Sequence, residues 1–493
     1  MKIFKKWLRI AEIVLGIILV IAITRVYGPF FDLKGGRIVQ KTLVIYQEID
    51  GKSIQAIERF KNLNLRLAFA GPQVAFASTI IPEIRVTNGP GDESAWPQKK
   101  KVAVSGNYVY AVWQDNRNWL TSGFDIWFNR STDGGGTWDF TKEQRLTDNP
   151  CNQFNGEIMA TGSTVYVFWT DDRDGLCDSW GMDNITGYHK YRTEIYYRKS
   201  TDYGATWGPE VRVTYYNSAK YLSGDIEAIG NNVYVAWNDS RNNSESTSSN
   251  HDIFFTMSSD SGINWLPEKR LTSKTTAGFT GGVSCSGKNA GGVEMAVSGG
   301  IVFVVWEDLR NQATKGADVW SRRSQDNGMT WEREKRLTSF SGNERKPVVA
   351  ASGSNFIVAW EDDRAVATNG ISLAYIRSID NGTTWSKWAW MAISTGSNKC
   401  DHMFVASGNY WYGVWTDTRN QATSGLDLFY KYSLDGGLTW NGGLGGIQLT
   451  SEVHDQYSGS LAADMNVLNV IWEDTRNPGT LGVVDLWYKK LTF

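Results

Sequence analysis

From about residue 100 to the C-terminus, short stretches in which apolar and aromatic residues alternate with polar ones recur along the chain, separated by clusters of Gly, Asn, Asp and Ser. Val109-Tyr110-Ala111-Val112 is one of them. Alternation of this kind, bounded by turn residues, predicts a half-buried β-strand. Seven such strands run into a W-x-D-x-R motif, whose tryptophans are Trp113, Trp169, Trp237, Trp306, Trp360, Trp415 and Trp472. In six units a Gly stands seven residues before the Trp (Gly106, Gly162, Gly230, Gly299, Gly353 and Gly408), which predicts a tight turn and another strand upstream. Beyond the Arg comes a loop, then a third strand opened in six units by an acid (Asp125, Glu194, Asp252, Asp318, Asp427 and Asp485). This strand leads in six units into S-x-D-x-G-x-[TN]-W, from Ser131-Asp133-Gly135-Thr137-Trp138 to Ser433-Asp435-Gly437-Thr439-Trp440. There the Asp is expected to bond turn amides, the Gly to take a positive φ and the Trp to pack back onto the sheet. A fourth strand follows, as in Gln144-Arg145-Leu146-Thr147.

Four strands in each unit, repeated at roughly 60 residues, predict an all-β, seven-bladed β-propeller with four-stranded blades over residues 81–493. The seventh unit reaches Phe493 directly after its third strand, and Glu83-Ile84-Arg85-Val86-Thr87, upstream of the first unit, matches the missing fourth. Pairing of that N-terminal strand with the C-terminal blade is expected to close the ring and remove two sheet edges.

The N-terminus has a different pattern. Lys2, Lys5, Lys6 and Arg9 precede an apolar run from Ile13 to Ile23. Residues 1–28 are therefore expected to form a signal or anchor helix that puts the N-terminus in the cytoplasm and the rest outside. The run has signal-peptide length; Leu8 to Tyr27 can also span a membrane with Arg9 and Arg25 snorkelling, and no small-x-small site follows closely. Extracytoplasmic, membrane-anchored and secreted forms both follow from this reading. Residues 29–80 form a stalk or linker, with a strand-like stretch near Arg37–Ile49 and an amphipathic Ser53–Asn62.

Composition agrees with short aromatic strands: there are 23 Trp, 21 Tyr and 50 Gly. A net charge of −2 offers no basic footprint for nucleic acid. The four cysteines contain no C-x-x-C pair and the four histidines no ligand-spaced cluster, so neither metal nor cofactor is expected. Cys151 and Cys177 fall in loops on one face of one blade, where an oxidising compartment would allow a disulfide.

The six S-x-D-x-G-x-[TN]-W boxes resemble the Asp-box, or BNR, repeat of the sialidase-like superfamily, and the resemblance covers about residues 81–493. It implies a propeller and leaves the activity open, because Asp-box propellers include sialidases, other glycoside hydrolases, sorting receptors, lectins and photosystem assembly factors. A sialidase-type enzyme would carry an Arg-Ile-Pro-like motif on its first inner strand, three converging arginines, a Tyr–Glu pair and a catalytic Asp. The nearest stretch here, Glu83–Thr87, lacks the Pro and falls on the predicted outer closing strand; seven units also differ from a six-bladed ring.

Each W-x-D-x-R arginine has an Asp two residues back, and six have the acid that opens the next strand. The expectation is an Arg held between these two carboxylates as a scaffold clamp. Function should then reside where units differ. Twelve residues before each repeat Trp stand Lys101, Glu157, Asp225, Glu294, Val348, Met403 and Ser460. Glu157, Asp225 and Glu294 belong to adjacent blades and are expected to edge the central mouth with Lys100 and Lys101. They are the catalytic candidates if the protein is a glycoside hydrolase, cation binders, or polar lining of a wet channel. Arg345, Lys346, Asp401 and His402 occupy the opposite arc as channel lining or an anion-binding half. Long loops on the same face, at 174–193, 215–224 and 273–292, carry Trp180, Tyr188, Tyr216 and Tyr221, aromatics suited to sugar rings or to pinning the loops. The readings that follow are a propeller binding a glycan or a surface protein, an exo-glycosidase, and a structural cell-surface or assembly protein.

Overall fold

The computed structural model describes residues 31–34, 37–40, 82–89, 93–94, 100–175, 193–216, 218, 220–242, 250–274, 277–278, 292–476 and 484–493. The chain divides into two compact units, Met1–Ser78 and Thr79–Phe493. In the first, Phe31–Lys34 pairs antiparallel with Arg37–Gln40. The expected signal or anchor helix lies outside the described residues. Among the described residues no helix is long and apolar enough to cross a membrane.

The second unit is a seven-bladed propeller of four-stranded antiparallel blades. The inner strands are Val102–Ser105, Gln153–Thr161, Lys220–Ile229, Glu294–Ser298, Glu344–Ser352, Lys399–Ser407 and Gln456–Asp464 for blades 1 to 7. The ring closes as the sequence predicts. Ile84 and Arg85 pair with Tyr488 and Trp487, Val86 N donates to the Leu486 carbonyl at 2.8 Å, and Leu486 N donates to Thr87 Oγ1 at 3.0 Å. The core lies between blades: Tyr166 and Phe168 of blade 2 pack with Ile226, Val235 and Trp237 of blade 3, for example. No blade buries both of its faces alone, so each needs its neighbours.

Local chemistry explains W-x-D-x-R. In all seven copies the Trp indole N–H donates to the Asp carboxylate at 3.0–3.3 Å. The Arg backbone N–H donates to the same carboxylate at 2.7–3.0 Å, and the guanidinium pairs with it as well. One buried carboxylate thus ends the second strand, starts the turn and holds the Arg.

The second acid of that clamp differs from the sequence expectation. The Arg does not take the acid opening the third strand. It reaches a Glu at the start of the fourth strand: Glu143, Glu210, Glu268 and Glu334 in blades 1 to 4, and Glu83 in blade 7, at 2.5–3.0 Å. The third-strand acid instead pairs with the fourth-strand Arg, as in Asp125–Arg145 and Asp252–Arg270. The reason is stacking. Arg117 lies flat on Trp127, two residues along the third strand, at 3.9 Å, so its free edge points outward to the fourth strand.

The box Trp is a second correction. It packs mainly onto the preceding blade: Trp207 of blade 2 on Phe128 of blade 1 at 5.0 Å, and Trp331 of blade 4 on Phe255 of blade 3 at 4.9 Å. The box itself closes locally as expected. Ser258 Oγ donates to Asp260 Oδ1 at 2.7 Å, and Asn264 N donates to the same oxygen at 2.8 Å. Hydrogen bonds from Asn264 and Ser258 hold the Asp260 carboxyl down at about 2. Gly262 has φ +87°, and a methyl there would sit 2.5 Å from Tyr197 Oη of the preceding blade. The Gly serves both the turn and the contact between blades.

One repeat position yields a pH prediction. Sixteen residues before the motif Trp, a side chain at the start of the inner strand bonds the carbonyl two residues back: Gln153 to Cys151 at 2.8 Å, Lys399 to Ser397 at 2.7 Å and Gln456 to His454 at 2.6 Å. Glu344 holds this place in blade 5, fully shielded, and burial pushes its carboxyl up to about 8. A protonated carboxyl donates as a glutamine amide does. Because the folded pKa lies above the ordinary 4.5, the stabilisation is complete below about pH 4.5 and is lost as pH rises from there through about 8, by up to about 5 kcal/mol. Glu344→Gln is expected to remove this loss. The difference in unfolding free energy between parent and variant, followed from pH 5 to 9, should move in the variant's favour; a flat difference would contradict it.

Candidate functional site

The inner strands start on the face that carries the 2–3 and 4–1 loops. Most begin with a bulge: the register slips in blades 2, 3, 5, 6 and 7. Asn155, Lys346, Asp401 and Ser458, each fourteen residues before its repeat Trp, take φ between +46° and +57°. A left-handed residue in a bulge turns its side chain out of the ladder. Gln114 Oε1 accepts the amide of Asn155 from the next blade at 3.1 Å, and Glu307 Oε2 accepts that of Lys346 at 3.2 Å. These acceptors are the second residue of W-x-D-x-R, so this variable position ties blades 1, 3 and 4 to their successors, Asn238 Oδ1 accepting the amide of Val293 at 3.2 Å in blade 3.

Two polar clusters result. In the first, Lys100 of blade 1 reaches past blade 2 to blade 3, where Nζ lies 2.8 Å from Asp225 and 2.7 Å from Glu227 and donates to the Ile226 carbonyl at 2.7 Å. Burial opposes the charge, but the two carboxylates outweigh it and hold the ammonium protonated, well above its ordinary value. Asp225 also accepts the amides of Ile226 at 2.8 Å and Met295 at 2.9 Å. Lys101 bonds the Gly156 carbonyl of blade 2 through Nζ, and its amide donates to Ser460 Oγ of blade 7 at 2.9 Å.

In the second cluster Lys346 lies 3.4 Å from Glu361 and 3.6 Å from Asp401 of blade 6, with His402 Nδ1 4.0 Å from Glu361. Burial raises the Glu361 carboxyl to about 7 against the pull of Lys346. Burial, helped by Lys346, lowers His402 to about 3, so its imidazole is neutral. A carboxyl titrating near neutrality can exchange a proton, yet Glu361, Asp401 and His402 are at most 2% exposed. The cluster is a plug between blades.

The structure therefore brings Lys100 to Asp225, Lys346 to Asp401, and His402 to Glu361. Glu294 opens its inner strand, Glu157 stands in the middle of its own, opposite Phe168, and both are buried. Arg345 stands opposite Glu361 in the ladder and is half-buried. Tyr221 stands opposite Asn238, while Trp180 and Tyr188 lie outside the described residues. Glu227, Glu307 and Glu361 were not singled out from the sequence. The signal for the last two was variation at the second motif position, which reads Gln, Thr, Asn, Glu, Glu, Thr and Glu round the ring.

Among the described residues the loop face exposes two adjacent aromatic rings. Between blades 2 and 3, Tyr215 and Tyr216 are 71% and 54% exposed. The Arg212 guanidinium lies 4.9 Å from the Tyr215 ring, and that of Arg241 4.4 Å from the Tyr216 ring. Such contacts fix ring orientation while leaving area open. Cys151 and Cys400 are both disulfide-bonded; Cys177, the partner expected for Cys151, lies outside the described residues.

No family model matches the sequence, and no curated protein matches it. Among solved structures the fold is similar to a protein of unknown function from Dyadobacter fermentans, with 13% identity, a TM-score of 0.47, and coverage of 84% of this chain and 99% of that one. It is also similar to the phage phi92 endosialidase, with 12% identity, a TM-score of 0.44, and coverage of 84% and 69%. A sialidase of Trypanosoma rangeli shares 16% identity at a TM-score of 0.41, over 71% of this chain and 55% of that one. At these identities the likeness extends to the fold and to no residue's role.

Proposed function

We propose that this protein is an extracytoplasmic, membrane-tethered propeller that binds a glycan on its loop face over blades 2 and 3. The observation that carries this reading is the adjacent, exposed Tyr215 and Tyr216, each oriented by an arginine. Sugar rings present apolar C–H faces that stack on such rings and hydroxyls that bond flanking polar groups. The shielding of the mouth acids favours this face over the mouth, since a substrate has to reach the groups that act on it. The Lys- and Arg-flanked apolar segment near the N-terminus supports export, and the disulfide-bonded Cys151 and Cys400 suit an oxidising compartment.

On a glycan array, Tyr215→Ala/Tyr216→Ala is expected to bind its best glycans about tenfold more weakly than the parent, the order set by losing two stacking rings. Equal binding by parent and variant would remove the assignment. Capture of a surface protein in the absence of glycan would move the function to the protein-binding class.

A further inference from the structure

Blade 5 breaks the clamp pattern of blades 1 to 4 and 7, as blade 6 does in another way, its Arg419 donating to the Gly445 carbonyl at 2.6 Å. The third strand of blade 5 opens on Ser372 where six blades have an acid, and Trp388 and Trp390 stand where blades 1 to 4 have the clamp Glu and the fourth-strand Arg. Ala374 replaces the aromatic residue on which the clamp Arg stacks elsewhere. Arg364 is held instead among rings from other places: Phe340 at 3.9 Å and Trp388 at 4.2 Å. Its Nε and Nη2 bond Asp362. In blades 1, 2 and 4 the remaining nitrogen, Nη1, donates to a glutamate at 2.7–3.0 Å. Among the described residues no carboxylate takes Nη1 of Arg364. Glu344, the nearby buried carboxyl, carries its proton at neutral pH because burial raises it, so it adds no second negative charge beside the Arg364–Asp362 pair. Trp388 is 37% exposed.

We propose that this cage is a binding site for a carboxylate-bearing sugar, a uronic acid residue of an acidic polysaccharide, whose ring stacks on Trp388 and whose carboxylate takes the Nη1 edge of Arg364 that a glutamate fills in blades 1, 2 and 4. The guanidinium edge selects the carboxylate, and the neighbouring exposed indole selects a ring with an apolar face. The site is distinct from Tyr215 and Tyr216; it rests on the glycan reading only in preferring a sugar acid to an acidic peptide.

The test uses the full chain and titrates Trp fluorescence with oligogalacturonate, its carboxyl-reduced counterpart of equal length, and an oligoglutamate. The parent is expected to bind oligogalacturonate saturably and the other two about tenfold or more weakly, the scale of a lost charge-assisted hydrogen bond. Trp388→Glu puts back the carboxylate that blades 1 to 4 carry. It should fold as the parent does by circular dichroism and lose oligogalacturonate binding by at least the same factor, whereas Tyr215→Ala/Tyr216→Ala should keep it. Absence of saturable binding by the parent, equal binding of the reduced oligomer or of oligoglutamate, or unchanged binding by Trp388→Glu would each overturn the assignment. Loss of array binding by the tyrosine variant alone would leave this site standing, and loss in Trp388→Glu alone would leave the blade 2–3 face standing.

Discussion

Lys100→Met is expected to lower the unfolding free energy by about 3 kcal/mol, the low end of the cost of breaking a buried ion pair. The ammonium satisfies two carboxylates and a backbone carbonyl at once, all at 2.7–2.8 Å. The side chains of Lys100 and Glu227 are 17% and 19% exposed, so solvent screens part of the interaction, whereas Asp225 is only 4% exposed. Once the lysine is gone, two carboxylates of blade 3 face each other without a cation, and one of them, Asp225, also accepts the amide of Met295 in blade 4. The damage should therefore spread from blade 1 to blades 3 and 4. The triple variant Lys100→Met/Asp225→Asn/Glu227→Gln removes the stranded charge and should recover most of the loss, because a polar or apolar replacement of a whole buried pair costs far less than removing one partner. Urea unfolding of the three proteins measures this. A single variant within about 0.5 kcal/mol of the parent, the range of ordinary surface substitutions, would show that the lysine does not bridge the blades.

The second large effect concerns ring closure. A chain beginning at Gly89 is expected to be recovered largely as aggregate, while one beginning at Thr79 stays soluble and unfolds cooperatively. The segment removed between those two starts supplies the fourth strand of blade 7. With it go the ladder to Trp487 and Tyr488, the fully buried Val86 and Thr87, and the ion pairs of Arg85 with Asp485 and of Glu83 with Arg476 and Lys489. Burying the valine alone contributes about 2 kcal/mol. The larger consequence is kinetic and colloidal: the strand Asp485–Thr492 is left as an open edge with unpaired amides, a template for another chain. Size-exclusion chromatography of the two products separates the outcomes, and a monodisperse monomer starting at Gly89 would refute the closure argument.

The candidate site was legible only in part. The inner-strand position that carries Asp225 is visible because it varies among otherwise repeated units, and Lys100 and Lys101 stand out beside it. What the sequence does not reveal is that Lys100 and Asp225 meet, which turns a candidate catalytic acid into half of an ion pair. Glu361 was hidden inside a motif that reads as scaffold. The blade 5 cage escaped for a related reason: Trp388 and Trp390 sit where the fourth strand of other blades has charges, and only the position of Arg364 relative to them gives the substitution meaning.

By itself the sequence determined the seven blades, their four strands, the six boxes and the strand that closes the ring. Each of these follows from local causes: alternation with period two, glycines that accept a positive φ, and an Asp that bonds the amides of its own turn. The partners that charged and aromatic side chains take beyond their own turn were decided by tertiary structure. Lys100 selects Asp225, the motif Arg selects the fourth-strand Glu, and the box Trp selects the preceding blade, because those choices depend on where the closed ring sets each inner strand and on which neighbouring surface a side chain then meets.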